Sequence, residues 1–433
     1  MMYSNSGTIR TNNTKISLTR LSAWCLALNF GFSPLLKGIL PSPFDLIFLF
    51  MACAVSLVMF IINKNYNRKD TFQWMLLWLC VTASTLLVSN ESLYASKTYL
   101  LSFICMFALI QSENWYKSII KNVTIVSLVH VTATFFFFIV PKAYSLTMVK
   151  IWGSHVIGTL DGTEGYRAGL SSHYSTNGVF CSIPFLICGG LFFMGNVKRK
   201  QKKQLLVIMA VSIVAVLLTT KRAHLIFSIL TLAICYYLGV SGQKINKVIK
   251  MLGTAVILGG LFLILMRVFP VLYETFNRFS ESDDISTGRF DMWNLAWGLF
   301  KEHPIIGIGW GRYVHIMAGP LGINPDFATS VHNVYLQLLC EIGLVGFVIF
   351  LYAMLSCYIK TIQCLKSGAL NDASYNALVV SYVLQTFVLL YNFTGNCIYD
   401  FTWYIYIIGC TLAISINHKM KKVKAVALAA ASY

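Results

Sequence analysis

The sequence is short of charge. Only 12% of its 433 residues are Asp, Glu, Lys or Arg, and just 16 are acids. Soluble domains carry about 25% charged and about 45–50% apolar residues, whereas 57% here are hydrophobic. A soluble monomer of this composition would expose apolar patches large enough to aggregate, so the soluble class is excluded. Disorder is excluded by the 30 Phe, 22 Tyr and 9 Trp residues, which such chains lack. The 12 cysteines contain no Cys-x-x-Cys pair. Zinc sites, iron–sulfur sites and disulfide frameworks therefore have no signature here, and the thiols read as small apolar residues. The first twenty residues are polar, and no short apolar stretch with a small-residue cleavage site follows them, so no cleaved signal peptide is expected. What is there is a membrane protein.

A membrane span needs roughly 20 largely apolar residues. Twelve stretches qualify, at about 21–36, 44–62, 71–88, 97–112, 121–140, 175–195, 205–219, 223–240, 251–269, 333–358, 376–393 and 400–417. The first is interrupted by Pro34 and Lys37, and the seventh and eighth form a hairpin with Lys221 and Arg222 at its tip. With the N-terminus inside, 22 of the 34 lysines and arginines fall on the inner side. The positive-inside rule then places both termini in the cytoplasm. The formal charge of +18 is thus a record of topology, not a nucleic-acid footprint, and the run Val197–Lys203 meets anionic headgroups. The expected organisation is an N-terminal tail (1–20), one membrane domain (21–418) and a C-terminal tail (419–433). Within the domain, outer loops at 141–174 and 270–332 hold most of the non-membrane mass. Long ordered loops are often functional, so the chemistry is expected outside, where no ATP is available.

The larger loop has internal order. Ser286-Thr287-Gly288 resembles a helix start, and Phe290, Trp293, Trp297 and Phe300 then recur on one helical face. Lys301-Glu302-His303-Pro304 ends the pattern, because the residue before proline disfavours helix. Such a helix is expected to lie at the interface with its aromatics among headgroups. Gly307-Ile308-Gly309-Trp310-Gly311-Arg312 reads either as a backbone cradle for phosphate or as a tight turn that returns the chain to the protein. Ser330 or Thr329 is expected to cap the tenth span, with His332 in its first turn. There the helix dipole would lower the imidazole pKa and make a general base. Glu341, deeper in the same helix, is expected to serve as polar support, with Gln337 on its face. The loop from 270 to 332 is net acidic, so Arg278, Arg289, Lys301 and Arg312 are individual cations suited to gripping an anion. Arg167, Lys221 and Arg222 come from other outer segments. If they meet near His332, they form a site for a lipid diphosphate.

Three stretches resemble the bacterial O-antigen polymerase and O-antigen ligase superfamily. The strongest runs from His332-Asn333-Val334-Tyr335-Leu336 through Glu341-Ile342-Gly343 to Gly346-Phe347, matching His-Asn-x-x-Leu-x-x-x-x-Glu-x-Gly-x-x-Gly. The second is Gly288-Arg289-Phe290-Asp291-Met292-Trp293 with Pro304 to Gly311, and the third is Thr219-Thr220-Lys221-Arg222-Ala223. Lys221 stands where relatives often have a small hydroxyl residue. The resemblance implies an all-α polytopic glycosyltransferase of the GT-C type in the bacterial plasma membrane, acting outside and needing no metal or other cofactor. Its implied substrate is an undecaprenyl-diphosphate-linked glycan. The acceptor is a second lipid-linked repeat unit for a polymerase, or lipid A core for a ligase. A chain-length regulator is left open as a further partner. The implied roles are His332 as base, with Arg222 and Arg289 on the departing diphosphate. Lys221, Arg167, Arg312 and Asn333 are assigned to substrate binding. The His-Asn-x-Tyr-Leu stretch favours a polymerase making O-antigen or capsule. A twelve-span transporter or lipid-glycan flippase is the reading from another class. Against it stand the lack of a half-to-half repeat and the few intramembrane ionisable residues, chiefly His130 and Glu341.

Overall fold

Apolar runs this long bury their own backbone polar groups only by coiling, and the computed structural model is built of helices accordingly. It describes residues 8–11, 14–41, 44–63, 72–88, 115–153, 164–239, 244–268, 273, 288–321, 330–367, 370–399 and 401–431. A short antiparallel hairpin, β1 (Thr8–Thr11) with β2 (Thr14–Ser17), pairs Thr8 with Ser17 and Thr11 with Thr14. Five helices follow: α1 (Leu18–Ile39), α2 (Ile47–Asn63), α3 (Phe72–Ala83), α4 (Trp115–Ile139) and α5 (Pro141–Trp152). Next come α6 (Tyr174–Met194), α7 (Arg199–Leu218), α8 (Arg222–Gly239) and α9 (Lys244–Val268). The segment between α9 and α12 carries α10 (Arg289–Glu302) and α11 (Arg312–Leu321), and the last helices are α12 (Val334–Lys366), α13 (Asp372–Tyr391) and α14 (Thr402–Ala431).

Among the described residues, six helices are long and apolar enough to cross a membrane: α4, α6, α7, α8, α12 and α13. That is half of the twelve spans the sequence suggests. The early helices are the irregular ones. Pro34 sits inside α1. A 3-10 turn at Phe44–Leu46 precedes α2, and a π turn at Ser84–Val88 takes over from α3. The expected span at 97–112 lies outside the described residues, as do 154–163 of the first expected loop and 270–272, 274–287 and 322–329 of the second.

Two helices form the centre. Every residue of α6 from Asn177 to Gly190 is buried, and so is every residue of α13 from Ala377 to Val388. A helix that is apolar all round belongs in a core. Around them pack α4, α7, α8, α12 and α14, through Trp115, Phe180, Phe350, Phe387 and Tyr406, all fully buried. By contrast α7 and α8 leave Leu206, Val207, Ile226 and Ile229 exposed, the outward faces of helices that meet lipid. His130, a candidate for a transport path in the sequence, is a packing residue. Its Nε2 is 2.8 Å from the Gly31 carbonyl and its ring stacks on Phe180 at 3.9 Å.

Candidate functional site

Four chain segments bring titratable groups together at one end of the bundle: the lead-ins to α6 and α12, the turn between α7 and α8, and the start of α10. Each begins with a local rule. The residue before α6 is His173, whose Nδ1 accepts from the Ser175 backbone N–H at 3.1 Å and so caps the helix. Its ring stacks on Tyr174, with centroids 4.3 Å apart. Between α7 and α8, Thr219 Oγ1 turns back onto the Val216 carbonyl at 2.7 Å, and Lys221 follows. The Lys221 ammonium sits 4.3 Å from the centre of the Tyr174 ring. Gly288, left-handed at φ 77°, starts α10 so that Arg289 is its first residue.

His332 departs from its expected place. The helix it precedes begins at Val334 and is capped by Asn333, whose Oδ1 accepts from Leu336 N–H at 3.1 Å. Ser330 does not cap it, and Thr329 lies outside the described residues. His332 therefore stands before the cap rather than in the first turn. It adopts a left-handed φ of 54°. Among the described residues the other non-glycine with positive φ is Thr220, at 57°, beside Lys221. A β-branched residue there is a true outlier, and such strain collects where a site fixes its side chains.

The electrostatics are those of cations held together without acids. Neither Lys221 nor Arg289 has a carboxylate partner among the described residues. Burial and then the charge of Arg289 lower the Lys221 ammonium to about 8. Burial, then Arg289, then Lys221 lower the His332 imidazole to about 4. Burial, then Lys221 and His332, lower His173 to about 4. Arg289 and Lys221 thus act on His332, Lys221 and His332 on His173, and Arg289 on Lys221, which makes the four groups neighbours in one set. The cause for His332 is desolvation and cationic neighbours rather than the helix dipole expected from its sequence position. A half-buried group of like charges is relieved by an anion, which is the pattern of an anion-binding site with a neutral histidine in it.

The remaining sequence candidates divide. Arg222 opens α8 next to Lys221, half-buried and with interactions of its own. Arg167 is buried and donates to Glu164 at 2.6 Å. Arg312 opens α11 beyond the glycine turn. Neither Arg167 nor Arg312 is among the charges acting on His332. Asn333, expected to touch substrate, has its side-chain oxygen committed to the cap. His173 was missed by the sequence reading. Its available signal was a histidine directly before an apolar stretch.

The glycine turn has its amides spent. Helix α12 breaks at Gly343, with φ 62° and ψ −171°. The break frees two carbonyls and two N–H groups, and the turn satisfies all four. Ile308 and Gly309 donate to Cys340 and Glu341 at 3.0 and 2.9 Å, while Leu344 and Val345 donate to Pro304 and Ile305 at 2.9 and 3.2 Å. Gly307 and Gly343 meet backbone to backbone, where a Cβ on either would collide with the other strand's main chain. The Glu341 carboxylate, fully buried, accepts from Gly311 N–H at 3.0 Å, Tyr313 N–H at 3.3 Å, Gln337 Nε2 at 3.2 Å and Tyr399 Oη at 2.6 Å. Trp310 donates its N–H to Ser84 Oγ at 3.0 Å. Of the two readings of Gly307–Gly311, the structural turn holds, and these amides do not cradle phosphate. The turn's task is to seat α10 and α11. Trp293 Nε1 of α10 then donates to the Val331 carbonyl at 3.0 Å, beside His332.

Among the described residues no group of three or more His, Cys, Asp or Glu side chains is placed to hold a metal ion. Residues 182–351 match the family model Wzy_C, described as O-Antigen ligase. The match runs from α6 into α12 and takes in Lys221, Arg222, Arg289 and His332. It supports the O-antigen polymerase and ligase superfamily. No curated protein matches the chain.

Proposed function

We propose that this integral membrane protein is a glycan polymerase. It would join undecaprenyl-diphosphate-linked repeat units into a surface polysaccharide on the outer face of the plasma membrane. The observation that carries the chemistry is a histidine beside Lys221 and Arg289, two cations with no carboxylate partner among the described residues. His332, held unprotonated by burial, Arg289 and Lys221, is the base. It takes the proton from an acceptor sugar hydroxyl as that oxygen bonds to the anomeric carbon of the growing glycan. The anomeric carbon–oxygen bond to the lipid diphosphate breaks, and its electron pair leaves on the diphosphate. Arg289, Lys221 and Arg222 stabilise that charge, as preorganised cations do most effectively in a half-buried site. No metal is needed for this step, since the arginines and the lysine supply the positive charge. The diphosphate leaving group provides the driving force where ATP is absent.

A second reading, transfer of the glycan to lipid A core, is favoured by the ligase description of the matching family. The discriminating experiment supplies purified protein with an undecaprenyl-diphosphate-linked repeat unit, with and without lipid A core. The polymerase reading expects a ladder of longer lipid-linked glycans without core, and product only with core makes the protein a ligase. His332→Ala is expected to remove product in either case while the protein remains in the membrane. Normal product from that variant would overturn the assignment of the base. Substrate crossing the bilayer with no covalent product would move the protein to the flippase class.

A further inference from the structure

A base must have a lone pair aimed at the substrate, and a neutral imidazole has only one. Which ring nitrogen carries it is set by what the other nitrogen bonds. Among the described residues one side chain hydrogen-bonds the His332 ring: Asn396, whose amide nitrogen Nδ2 lies 3.4 Å from Nδ1. Asn396 sits in the turn after α13, 64 residues further along the chain. It lies outside the segment that matches the family. The turn is anchored where the contact forms. Val334 N–H donates to the Asn392 carbonyl at 2.8 Å, and Thr394 and Gly395 both bond back to the Tyr391 carbonyl.

The amide can meet Nδ1 in two ways, with opposite consequences. With its NH2 towards the ring, Nδ1 accepts, the ring proton resides on Nε2, and that nitrogen cannot take a proton from substrate. With its oxygen towards the ring, Nδ1–H donates and the Nε2 lone pair is free. The second orientation is the one a base requires, and it is the arrangement in which an acceptor behind a histidine fixes its tautomer and ring angle. The structure has Nδ2 towards the ring and the buried Oδ1 without a partner among the described residues; a 180° turn of the amide gives the second orientation and places the NH2 in that buried position, where an acceptor sugar oxygen would complete it. His332 itself takes its left-handed φ of 54° directly before the cap of α12, on the side where this turn packs.

We propose that Asn396 is the positioning residue of His332. Its amide oxygen accepts Nδ1–H, so that Nε2 is held as the proton acceptor. This rests on His332 being the base. The charged and titratable groups facing His332 are Arg289, Lys221 and His173.

The test is the pH profile of glycan transfer by purified wild-type protein, Asn396→Ala, Asn396→Asp and His332→Ala. Asn396→Ala is expected to lower kcat about 10–100-fold with little change in KM for the lipid-linked donor, a part of the roughly 10²–10⁴-fold that general-base catalysis supplies. Asn396→Asp is expected to recover most of the turnover. Its carboxylate favours imidazolium, so the acid limb should move to higher pH by about one unit or more. Membrane yield and elution profile report folding, and Asn396→Asp keeps the test open if the alanine variant does not fold. If Asn396→Asp transfers with its acid limb where the wild type has it, the positioning role is overturned. It is equally overturned if folded Asn396→Ala keeps the wild-type kcat. In both cases an inactive His332→Ala would leave the base intact. An active His332→Ala would overturn the base itself, and the proposal with it.

Discussion

Lys221 and His332 carry opposite duties, and burial serves both. Lowering the imidazole to about 4 leaves it unprotonated across the neutral range, as a base must be. Lowering the ammonium to about 8 leaves it charged there, but only just. The sign follows directly. Each group's charged form is disfavoured, so His332 gains its working form as pH rises through about 4, and Lys221 loses its working form as pH rises through about 8. Glycan transfer by the wild type is therefore expected to be flat between about pH 5 and 7 and to fall above about 8. The fall should appear in kcat/KM, which reports the free enzyme, because a bound diphosphate holds the lysine charged. Lys221→Arg should carry activity to higher pH, since a guanidinium does not titrate there. An alkaline limb unchanged in Lys221→Arg would remove the lysine from diphosphate binding. At this scale the sequence showed His332 and Arg289 through their motifs. It did not show His173 or Asn396, because each joins the site through a partner far away in the chain.

The element that organises the site is a broken helix. In sequence, Glu341 and Gly343 look like a buried acid and a small residue in a span. In space, Gly343 interrupts α12 and the glycine turn enters the gap, so irregular backbone at this depth is satisfied by protein rather than lipid. Glu341 is the peg that holds the turn. Removing it orphans the Gly311 and Tyr313 amides and the Tyr399 hydroxyl, and each buried orphan costs about 1–3 kcal/mol. Glu341→Ala is expected to lower stability by roughly 3 kcal/mol or more, read as a large drop in Tm in detergent, with Glu341→Gln milder. Gly343→Ala should be as damaging, because its Cβ would collide with the Ile305 main chain. A Glu341→Ala protein with wild-type Tm would show that the turn is held by something else. The expectation of polar support for Glu341 could be made from sequence, since a carboxylate inside a span needs partners. The identity of those partners could not, because they come from residues 311, 313 and 399.

At the scale of the molecule, orientation and exposure make the remaining prediction. Eleven cysteines are described, ten of them buried, so background thiol labelling should be low. A cysteine replacing His303, at the exposed end of α10, should react with an impermeant maleimide applied to the outside of cells. One replacing Lys200, exposed at the start of α7, should react only after permeabilisation. The reverse pattern would invert the topology and place the chemistry in the cytoplasm. Membrane class, helices in the described apolar stretches and the aromatic helix at 289–302 were legible in the sequence. They depend on composition and on spacings of three to seven residues, which a helix converts directly into a face. The motifs also carried the family. Tertiary structure decided the rest. It placed His332 ahead of its helix, spent the glycine amides on α12, and brought His173, Lys221, Arg289 and Asn396 together. Those outcomes depend on contacts between segments tens to hundreds of residues apart. Local periodicity holds no record of them, because packing across the bundle, not the order of neighbours, sets which polar groups must share a buried space.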